Sequence, residues 1–263
     1  PGASSNSSIY GTLAPLLRQR GLQKKIDGPN RTATGPGMVA IEGQHAMIKS
    51  MFSLVMLLAG AQALADTTEV SEPYYQDQFT LVNQRNFLSD YQPLNPDGTV
   101  NVVVERPTGS VQAWHINAKS GAIVWQQDKG KARSVHYLGY PGNFGFVPRT
   151  LSSEEGGGDG APLDAIVLGP AVPRGEVVKV KLIGMLKLLE HGKEDHKLIG
   201  VVEGTPLYGA NDIAELQQAF PGVDIIIKTW FANHQGPGKV VTQGFADAAS
   251  ARALLATASK AYL

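Results

Sequence analysis

The chain of 263 residues contains no cysteine. Disulfide bonds, thiolate metal sites and cysteine-based catalysis are therefore excluded, although this absence leaves the redox compartment open. Neither sign of charge is in excess: the formal net charge is zero, which gives no reason to expect a nucleic acid or an anionic membrane as a partner. With 43% hydrophobic and 17% charged residues, the chain is expected to form one substantial globular core.

The apolar stretch at residues 51–60 is too short to span a bilayer comfortably. It follows the basic residue Lys49 and precedes Ala63-Leu64-Ala65. A basic start, a short apolar centre and an Ala-x-Ala end are typical of a secretory signal peptide. We therefore predict a signal peptide at residues 47–65, with a buried core helix as the alternative. The chain that remains after cleavage is expected to have no membrane span.

Residues 1–46 are rich in Ser, Gly and Pro, carry mostly basic charges and show no lasting apolar period, so they are predicted not to fold. One interpretation is translated upstream sequence in front of a true start at Met47. The other is the first half of a two-part organelle address. The first implies export to the periplasm or the outside, and the second implies delivery to an organelle compartment. In both, the folded part begins near Asp66.

The remaining sequence divides into a polar, partly extended arm at residues 66–99 and a domain at residues 100–263. Short β-branched or alternating runs bounded by Gly, Pro and Asn recur in the second part, which indicates a mostly antiparallel sheet closed into a barrel. The predicted strands are residues 102–105, 111–117, 122–125, 165–168, 177–189 and 197–202.

Helix signals come late in the chain. Asp212 is expected to cap a helix over residues 213–220, and Asp247 is expected to open a second one that reaches Tyr262. Residues 223–233 fit a strand and an amphipathic helix equally well. The fold class predicted from this order is mainly β (α+β), with the helices on the C-terminal side.

Two carboxylates, Asp159 and Asp164, stand five residues apart on a Gly/Pro turn. The turn follows the glycines at 156–158 and leads into the apolar run 165–168. Carboxylates on a loop at the edge of a strand are typical ligands of hard cations. The alternative is that both are ordinary turn residues, since Asp is common in turns beside Gly and Pro.

Four segments, in their order and spacing, resemble the soluble family I inorganic pyrophosphatases. They are YPGNFGFVPRTL at 140–151, DGAPLD at 159–164, PRGEVV at 173–178 and GMLKLLEHGKEDHKL at 184–198. The resemblance, which runs from about residue 100 to 250, implies a five-stranded barrel of the oligonucleotide/oligosaccharide-binding type flanked by helices. It also implies Mg²⁺-dependent hydrolysis of pyrophosphate to two phosphates, and a homo-oligomer.

The resemblance carries over part of a pocket that has to hold a small, highly charged anion. Several Mg²⁺ ions are expected to bridge its oxygens, with carboxylates holding the metals and cationic side chains holding the phosphates. The implied metal ligands are Glu105, Asp159, Asp164, Asp195 and Glu190, the last of which stands where the family has Asp. The implied catalytic and substrate-binding residues are Arg133, Tyr140 and Lys197.

Other pocket positions depart from the family. Ala161 stands at the position of the family's water-activating Asp. A positioned general base contributes about 10²–10⁴-fold to a rate, so this change alone predicts slow turnover. The further replacements are Ala113 for Lys, His115 for Glu, His191 for an acid, and His234 and Gln235 for a Tyr-Lys pair.

Two functions are compatible with this pattern. One is an impaired Mg²⁺-dependent inorganic diphosphatase, and the other is a pyrophosphatase-fold pseudoenzyme that binds metal and phosphate or serves as a structural subunit. The histidines at 115, 191 and 234 also allow Mn²⁺ or Zn²⁺ to replace Mg²⁺ in either function. Imidazole together with carboxylate suits those metals better. Drift after loss of selection is the simpler reading of the histidines.

Overall fold

The computed structural model describes residues 72–153 and 158–263. The predicted leader at residues 1–46 and the signal-like segment at residues 47–65 lie outside this part of the chain, so both stay predictions. In the described part, no helix is both long enough and apolar enough to cross a membrane.

Strands dominate the described residues. In chain order they are β1 (Tyr74–Asp77), β2 (Thr80–Val82), β3 (Val100–Arg106), β4 (Trp114–Ile116), β5 (Ile123–Trp125), β6 (Gln127–Asp128), β7 (Lys131–Ala132), β8 (Asn143–Phe146), β9 (Asp164–Leu168), β10 (Val177–Glu190), β11 (Lys193–Glu194), β12 (Lys197–Val202) and β13 (Val240–Asp247). The helices are α1 (Ile213–Ala219), α2 (Val223–Asn233) and α3 (Ala248–Tyr262).

Five strands close into a ring. β10 pairs with β12, β12 with β9, β9 with β8, β8 with β3, and β3 pairs back onto β10. All these pairs are antiparallel except β9 with β12, which is parallel. The sequence prediction of a five-stranded barrel is therefore confirmed. A separate four-stranded sheet has the order β1-β2-β5-β4 and includes part of the predicted N-terminal arm.

Glycine allows the barrel strands to approach one another closely. A Cβ on Gly145 in β8 would lie 1.9 Å from the carbonyl oxygen of Val103 in β3. In β10, a Cβ on Gly184 would lie 2.5 Å from Ile213 and 2.6 Å from the carbonyl oxygen of Ala246. Because real Cβ contacts are never this short, both positions require glycine for the observed packing.

The helices cover the barrel as the sequence predicted. The Asp212 side chain accepts the Glu215 N–H at 2.8 Å and caps α1, and the Asp247 side chain caps α3 in the same way through Ser250. α3 buries Ala251, Leu255 and Ala258 at the spacing of one helical face.

Residues 223–233, whose sequence fitted a strand and a helix equally well, form the helix α2. Ile227, Trp230 and Phe231 are buried, whereas Ile225 and Ile226 are exposed. A helix places residues three and four apart on one face, so it can bury this set while two of the three adjacent isoleucines face solvent. A strand would have alternated them instead.

Two strands that matter for the site were missing from the sequence prediction. β8 is only four residues long and contains Asn143 and Gly145, neither of which favours a strand. β13 contains Gly244 and only one fully buried residue, Val240, so its alternation is weak. Both gain their pairing from neighbours across the barrel, which a local pattern does not reveal.

Candidate functional site

The site is centred on the ammonium group of Lys197, the first residue of β12. Its Nζ donates to Asp164 Oδ2 at 2.5 Å and also to Asp195 Oδ1. Asp164 begins β9, the parallel neighbour of β12, so the topology places the two side chains beside each other. Lys197 is 5% exposed. Burial opposes its charge, but Asp164 and Asp195 outweigh burial and raise the pKa of Lys197 well above its ordinary value.

Two further carboxylates extend this cluster at the end of β10. The short hairpin from β10 to β11 returns the chain so that Asp195 lies beside Glu190. Burial raises the pKa of Glu190, and its Oε1 accepts a hydrogen bond from Gln235 Nε2 at 2.8 Å. Burial works against the charge on Asp195 too, but Lys197 prevails and lowers the pKa of Asp195. Glu190 therefore holds its proton more readily than Asp195 does.

Glu105 is the most deeply buried carboxyl of the set, at 3% exposure. Its Oε1 accepts the backbone N–H of Ile116 at 2.5 Å. Burial raises the pKa of Glu105 from an ordinary 4.5 to about 8, although the neighbouring charge of Arg106 opposes the shift. The carboxyl is therefore largely protonated at neutral pH.

Arg106 lies near the same cluster although it directly follows Glu105 in the strand. The register between β3 and β8 shifts between Val104 and Arg106, which marks a β-bulge. A bulge breaks the strict alternation of side chains, so two consecutive residues can serve one side of the sheet. The sequence interpretation missed Arg106 because an Arg next to a Glu at a strand end carries no signal of a bulge.

The Arg106 guanidinium is held at two nitrogens. Nε donates to the carbonyl oxygen of Trp114 at 2.6 Å, and Nη1 donates to the hydroxyl of Tyr140 at 2.6 Å. Its Cζ lies 4.9 Å from the centre of the Phe144 ring. These contacts fix the plane of the guanidinium at the wall of the pocket.

Tyr140, an expected catalytic residue, is 4% exposed and packs between aromatic rings. Its ring centre lies 4.4 Å from that of Trp230 and 5.3 Å from that of Phe144. Burial raises the pKa of Tyr140, which keeps the hydroxyl protonated, while Arg106 pulls the pKa the other way. The hydroxyl oxygen is thus engaged by Arg106.

Two expected site residues lie apart from this cluster. Asp159 is exposed, and its Oδ1 accepts the backbone N–H of Ala161 at 3.0 Å, within its own turn. Arg133 is also exposed, and its Nη1 donates to Gln126 Oε1 at 2.8 Å. Within residues 72–153 and 158–263, neither side chain forms a hydrogen bond or ion pair with the carboxylates around Lys197.

Two of the positions expected to depart from the family, His115 and His234, lie within reach of the charge of Arg106. Ala113 is buried, and His115 is half-buried. Burial lowers the pKa of His115, and the charge of Arg106 lowers it further. His234 stacks on Trp230 with ring centres 4.4 Å apart and planes at 12°, and burial lowers its pKa as well. Both imidazoles are therefore neutral at neutral pH.

The expected Mg²⁺ is compatible with the donor chemistry. Among residues 72–153 and 158–263, no three His, Asp or Glu side chains are grouped as a preformed metal site. Mg²⁺ does not require such a group, since one or two carboxylates together with waters and phosphate oxygens commonly hold it. Asp164, Asp195 and Glu190 supply the required oxygens. Burial raises the pKa of Asp164 and Glu190, and the nearby charge of Asp195 adds to both shifts.

Stability is expected to depend on pH through Glu105. Because its pKa rises to about 8 on folding, the folded chain binds this proton more tightly than the unfolded chain does. The resulting stabilisation is complete below the unfolded pKa of 4.5 and is lost as the pH rises through 8. Glu105→Gln keeps the shape of the neutral acid, so we expect it to raise the free energy of unfolding at pH 9 by roughly 2–4 kcal/mol.

Urea unfolding without added metal, at pH 4 and pH 9, measures this effect. At pH 4 the Glu105→Gln variant is expected to match the parent, because both side chains are then neutral. The exposed Glu203 provides the control, and Glu203→Gln is expected to change neither value. A loss of stability in Glu105→Gln at pH 9 would contradict the assignment of a protonated buried carboxyl.

Comparison with known proteins gives a consistent family. Residues 102–263 match the family described as inorganic pyrophosphatase. The inorganic pyrophosphatase of Drosophila melanogaster is 34% identical over 159 residues, which cover 54% of this chain and 47% of that protein. The soluble inorganic pyrophosphatase of Zea mays is 38% identical over 128 residues, which cover 47% of this chain and 55% of that protein. The chain thus spans about half the length of these curated relatives.

Solved structures show the same fold. The type I inorganic pyrophosphatase of Toxoplasma gondii superposes with a TM-score of 0.67 at 23% identity, over 73% of this chain and 97% of that one. The inorganic pyrophosphatase of Helicobacter pylori superposes with a TM-score of 0.56 at 29% identity, over 66% of this chain and 99% of that one. Since the family match covers more than half of the sequence and includes the barrel, the chain belongs to the inorganic pyrophosphatase family.

Proposed function

We propose that this chain binds pyrophosphate at the Lys197 cluster and hydrolyses it to two phosphates in the presence of Mg²⁺, far more slowly than a complete pocket would. The observation that carries the proposal is the buried Lys197 ammonium between Asp164 and Asp195. A buried cation among several carboxylates, next to the end of a parallel strand pair, provides both the charge and the oxygen ligands that a metal-pyrophosphate complex needs.

The protein side chains have distinct parts in this chemistry. Asp164, Asp195 and Glu190 would hold Mg²⁺, which when bound neutralises charge on the phosphoryl oxygens. Lys197 keeps Asp164 and Asp195 in place and, being charged, favours the anionic substrate. The buried aromatic rings of Tyr140 and Phe144 limit the access of water to one side of the site.

The slow rate follows from the absence of a positioned base at residue 161. The methyl group of Ala161 can take no proton from an attacking water. The neighbouring imidazoles of His115 and His234 are neutral but are weakened as bases, because burial lowers the pKa of both. A loss of about 10²–10⁴-fold is the usual consequence of removing a general base.

A second candidate is a non-catalytic binder of metal and phosphate. The support for it is that the resemblance marks two pocket positions, Ala113 and Ala161, as changed to alanine, while the Lys197 cluster keeps its cation and carboxylates. A binder needs the cation and the carboxylates but not the base.

Phosphate release from pyrophosphate by the purified chain, with Mg²⁺ and then with Mn²⁺ or Zn²⁺, tests the proposal. Asp195→Asn removes a carboxylate of the cluster and serves as the control against contaminating activity. Slow release that disappears in Asp195→Asn supports hydrolysis. Release equal in both proteins, or none with tight binding of pyrophosphate by calorimetry, favours the non-catalytic binder.

We also propose that the protein is exported and assembles as a homo-oligomer. The support for export is the signal-like order of residues 47–65, and the support for assembly is the resemblance to the family. Sequencing the N-terminus of the protein isolated from its source tests the first, with a start near Asp66 expected. Light scattering of the purified chain tests the second, and a monomeric mass would contradict it.

A further inference from the structure

Lys197 is ion-paired with carboxylates, whereas Arg106 is not. The Lys197 ammonium is shared by two carboxylates, Asp164 and Asp195. Among the described residues, no carboxylate oxygen forms an ion pair with Arg106 within 4.0 Å. A partly buried charge without a paired counter-charge is costly, and it favours the arrival of an anion.

We propose that Arg106 is a substrate-binding residue of this pocket, whose guanidinium holds one phosphoryl group of pyrophosphate. The proposal rests on the proposed function, since it names the residue that binds the same substrate. It concerns a position that the sequence interpretation did not include.

The geometry leaves N–H groups on two nitrogens of the guanidinium free. Nε and Nη1 are used by the Trp114 carbonyl and the Tyr140 hydroxyl, and Nη2 has no hydrogen-bond partner among the described residues. Both N–H groups of Nη2 and one N–H of Nη1 therefore remain available. Two adjacent donors of this kind match two phosphate oxygens, which is the usual reason for finding arginine at phosphate sites.

These free N–H groups lie near the Lys197 cluster. Arg106 Cζ and Lys197 Nζ lie 4.9 Å and 5.7 Å from the centre of the same Phe144 ring. The charge of Arg106 also acts on Asp164 of the cluster and on both His115 and His234. The guanidinium therefore lies close to the carboxylates and to these two histidines.

The site is pre-ordered rather than flexible. The bond from Nε goes to the backbone carbonyl of Trp114, whose own side chain is buried. The hydroxyl of Tyr140 and the ring of Phe144 fix the remaining degrees of freedom. Fixing a cation before binding lowers the entropy lost when an anion is captured.

Arg174 shows what a purely structural arginine looks like in this chain. Its Nε donates to the Glu105 carbonyl oxygen at 2.7 Å, Nη1 to the Tyr75 hydroxyl at 3.0 Å and Nη2 to Gln112 Oε1 at 3.1 Å. Each nitrogen of Arg174 has an acceptor, so fewer of its N–H groups remain for a ligand. In Arg106, by contrast, Nη2 has no acceptor among the described residues.

The test compares Arg106→Met and Arg106→Lys with the parent chain by calorimetric titration with pyrophosphate and Mg²⁺, at two salt concentrations, alongside steady-state kinetics. We expect Arg106→Met to weaken pyrophosphate binding about 10- to 100-fold and to reduce its salt dependence. Arg106→Lys keeps the charge but loses the planar pair of donors, so an intermediate affinity for pyrophosphate is expected.

Arg85→Met is the matched control, because Arg85 also stacks on a tyrosine, with Cζ 4.0 Å from the Tyr91 ring, and also donates to a backbone carbonyl. It is expected to bind pyrophosphate like the parent. Thermal unfolding of each variant monitors the fold. If Arg106→Met does not fold, Arg106→Lys decides through its affinity, since a purely structural arginine would lose stability without a change in pyrophosphate binding.

The outcomes separate the two proposals. Equal affinity of Arg106→Met and the parent overturns the role of Arg106 and leaves the proposed function standing. Binding without turnover in the parent overturns hydrolysis, and the affinity ratio then still decides on Arg106. No binding by the parent overturns both.

Discussion

Replacing Ala161 with aspartate is expected to raise the rate of phosphate release from pyrophosphate by about 10²-fold or more. The turn that carries this residue is already fixed. The N–H of Ala161 donates to Asp159 Oδ1 at 3.0 Å, and its carbonyl oxygen accepts the N–H of Ser152 at 2.7 Å. The side-chain direction at 161 is therefore set by the backbone, and the position is only half-buried, so a carboxylate can be accommodated there.

The matched control is Ala161→Asn, which has nearly the same shape as aspartate but cannot accept a proton at neutral pH. The aspartate variant is also expected to lose its gain in acid, since only the ionised carboxylate can act as a base, whereas the parent should lack this additional dependence. Steady-state kinetics from pH 5 to pH 9 measure both. Equal rates for the aspartate and asparagine variants would show that residue 161 is not where the reaction lacks a base.

Replacing Lys197 with methionine is expected to lower the free energy of unfolding at pH 7 by about 2–4 kcal/mol. The change leaves Asp164 and Asp195 without their cation in a site where Lys197 itself is 5% exposed. The range lies below that for fully buried pairs, because both carboxylates keep some contact with solvent. Pyrophosphate binding should be lost together with this stability.

The pH dependence of this loss follows from the sign of the shift at Asp195. Its pKa is lowered in the folded chain, so its pairing contributes stability above the unfolded pKa and loses it as the pH falls. The difference between Lys197→Met and the parent is therefore expected to be largest near pH 7 and to shrink toward pH 3. Urea unfolding at these values measures it.

Lys181→Met is the control for the loss of a lysine, since Lys181 donates to the Tyr208 carbonyl and to Asn211 but pairs with no carboxylate among the described residues. Its effect should stay within about 1 kcal/mol and be independent of pH. A similar loss in both lysine variants would argue against an ion-paired cluster at Lys197.

Much of the barrel was predictable because its strands carry continuous apolar runs. Residues 197–202 were predicted with the bounds that β12 has, and the caps Asp212 and Asp247 located two helices. Residues 223–233 stayed ambiguous because three adjacent isoleucines favour both periods until the neighbouring surface decides which face is buried.

The candidate site was predictable only where the resemblance to the family supplied its residues. Motif spacing located Asp164, Asp195 and Lys197, and the structure joins these three. It does not join Arg133 or Asp159 to them within the described residues. Arg106 enters through a bulge whose only cause is pairing between strands distant in sequence, so no local pattern indicated it.

The 14-residue strand β10 also has a consequence for synthesis of the protein. It pairs with β3, which precedes it by about 70 residues, and with β13, which follows it by about 50. On a ribosome, the half of β10 from Gly184 to Glu190 must therefore wait for residues 240–247 to emerge. During that interval an apolar strand edge is unpaired, so the nascent chain should depend on a holding chaperone, and release of chains truncated before residue 240 should yield aggregates.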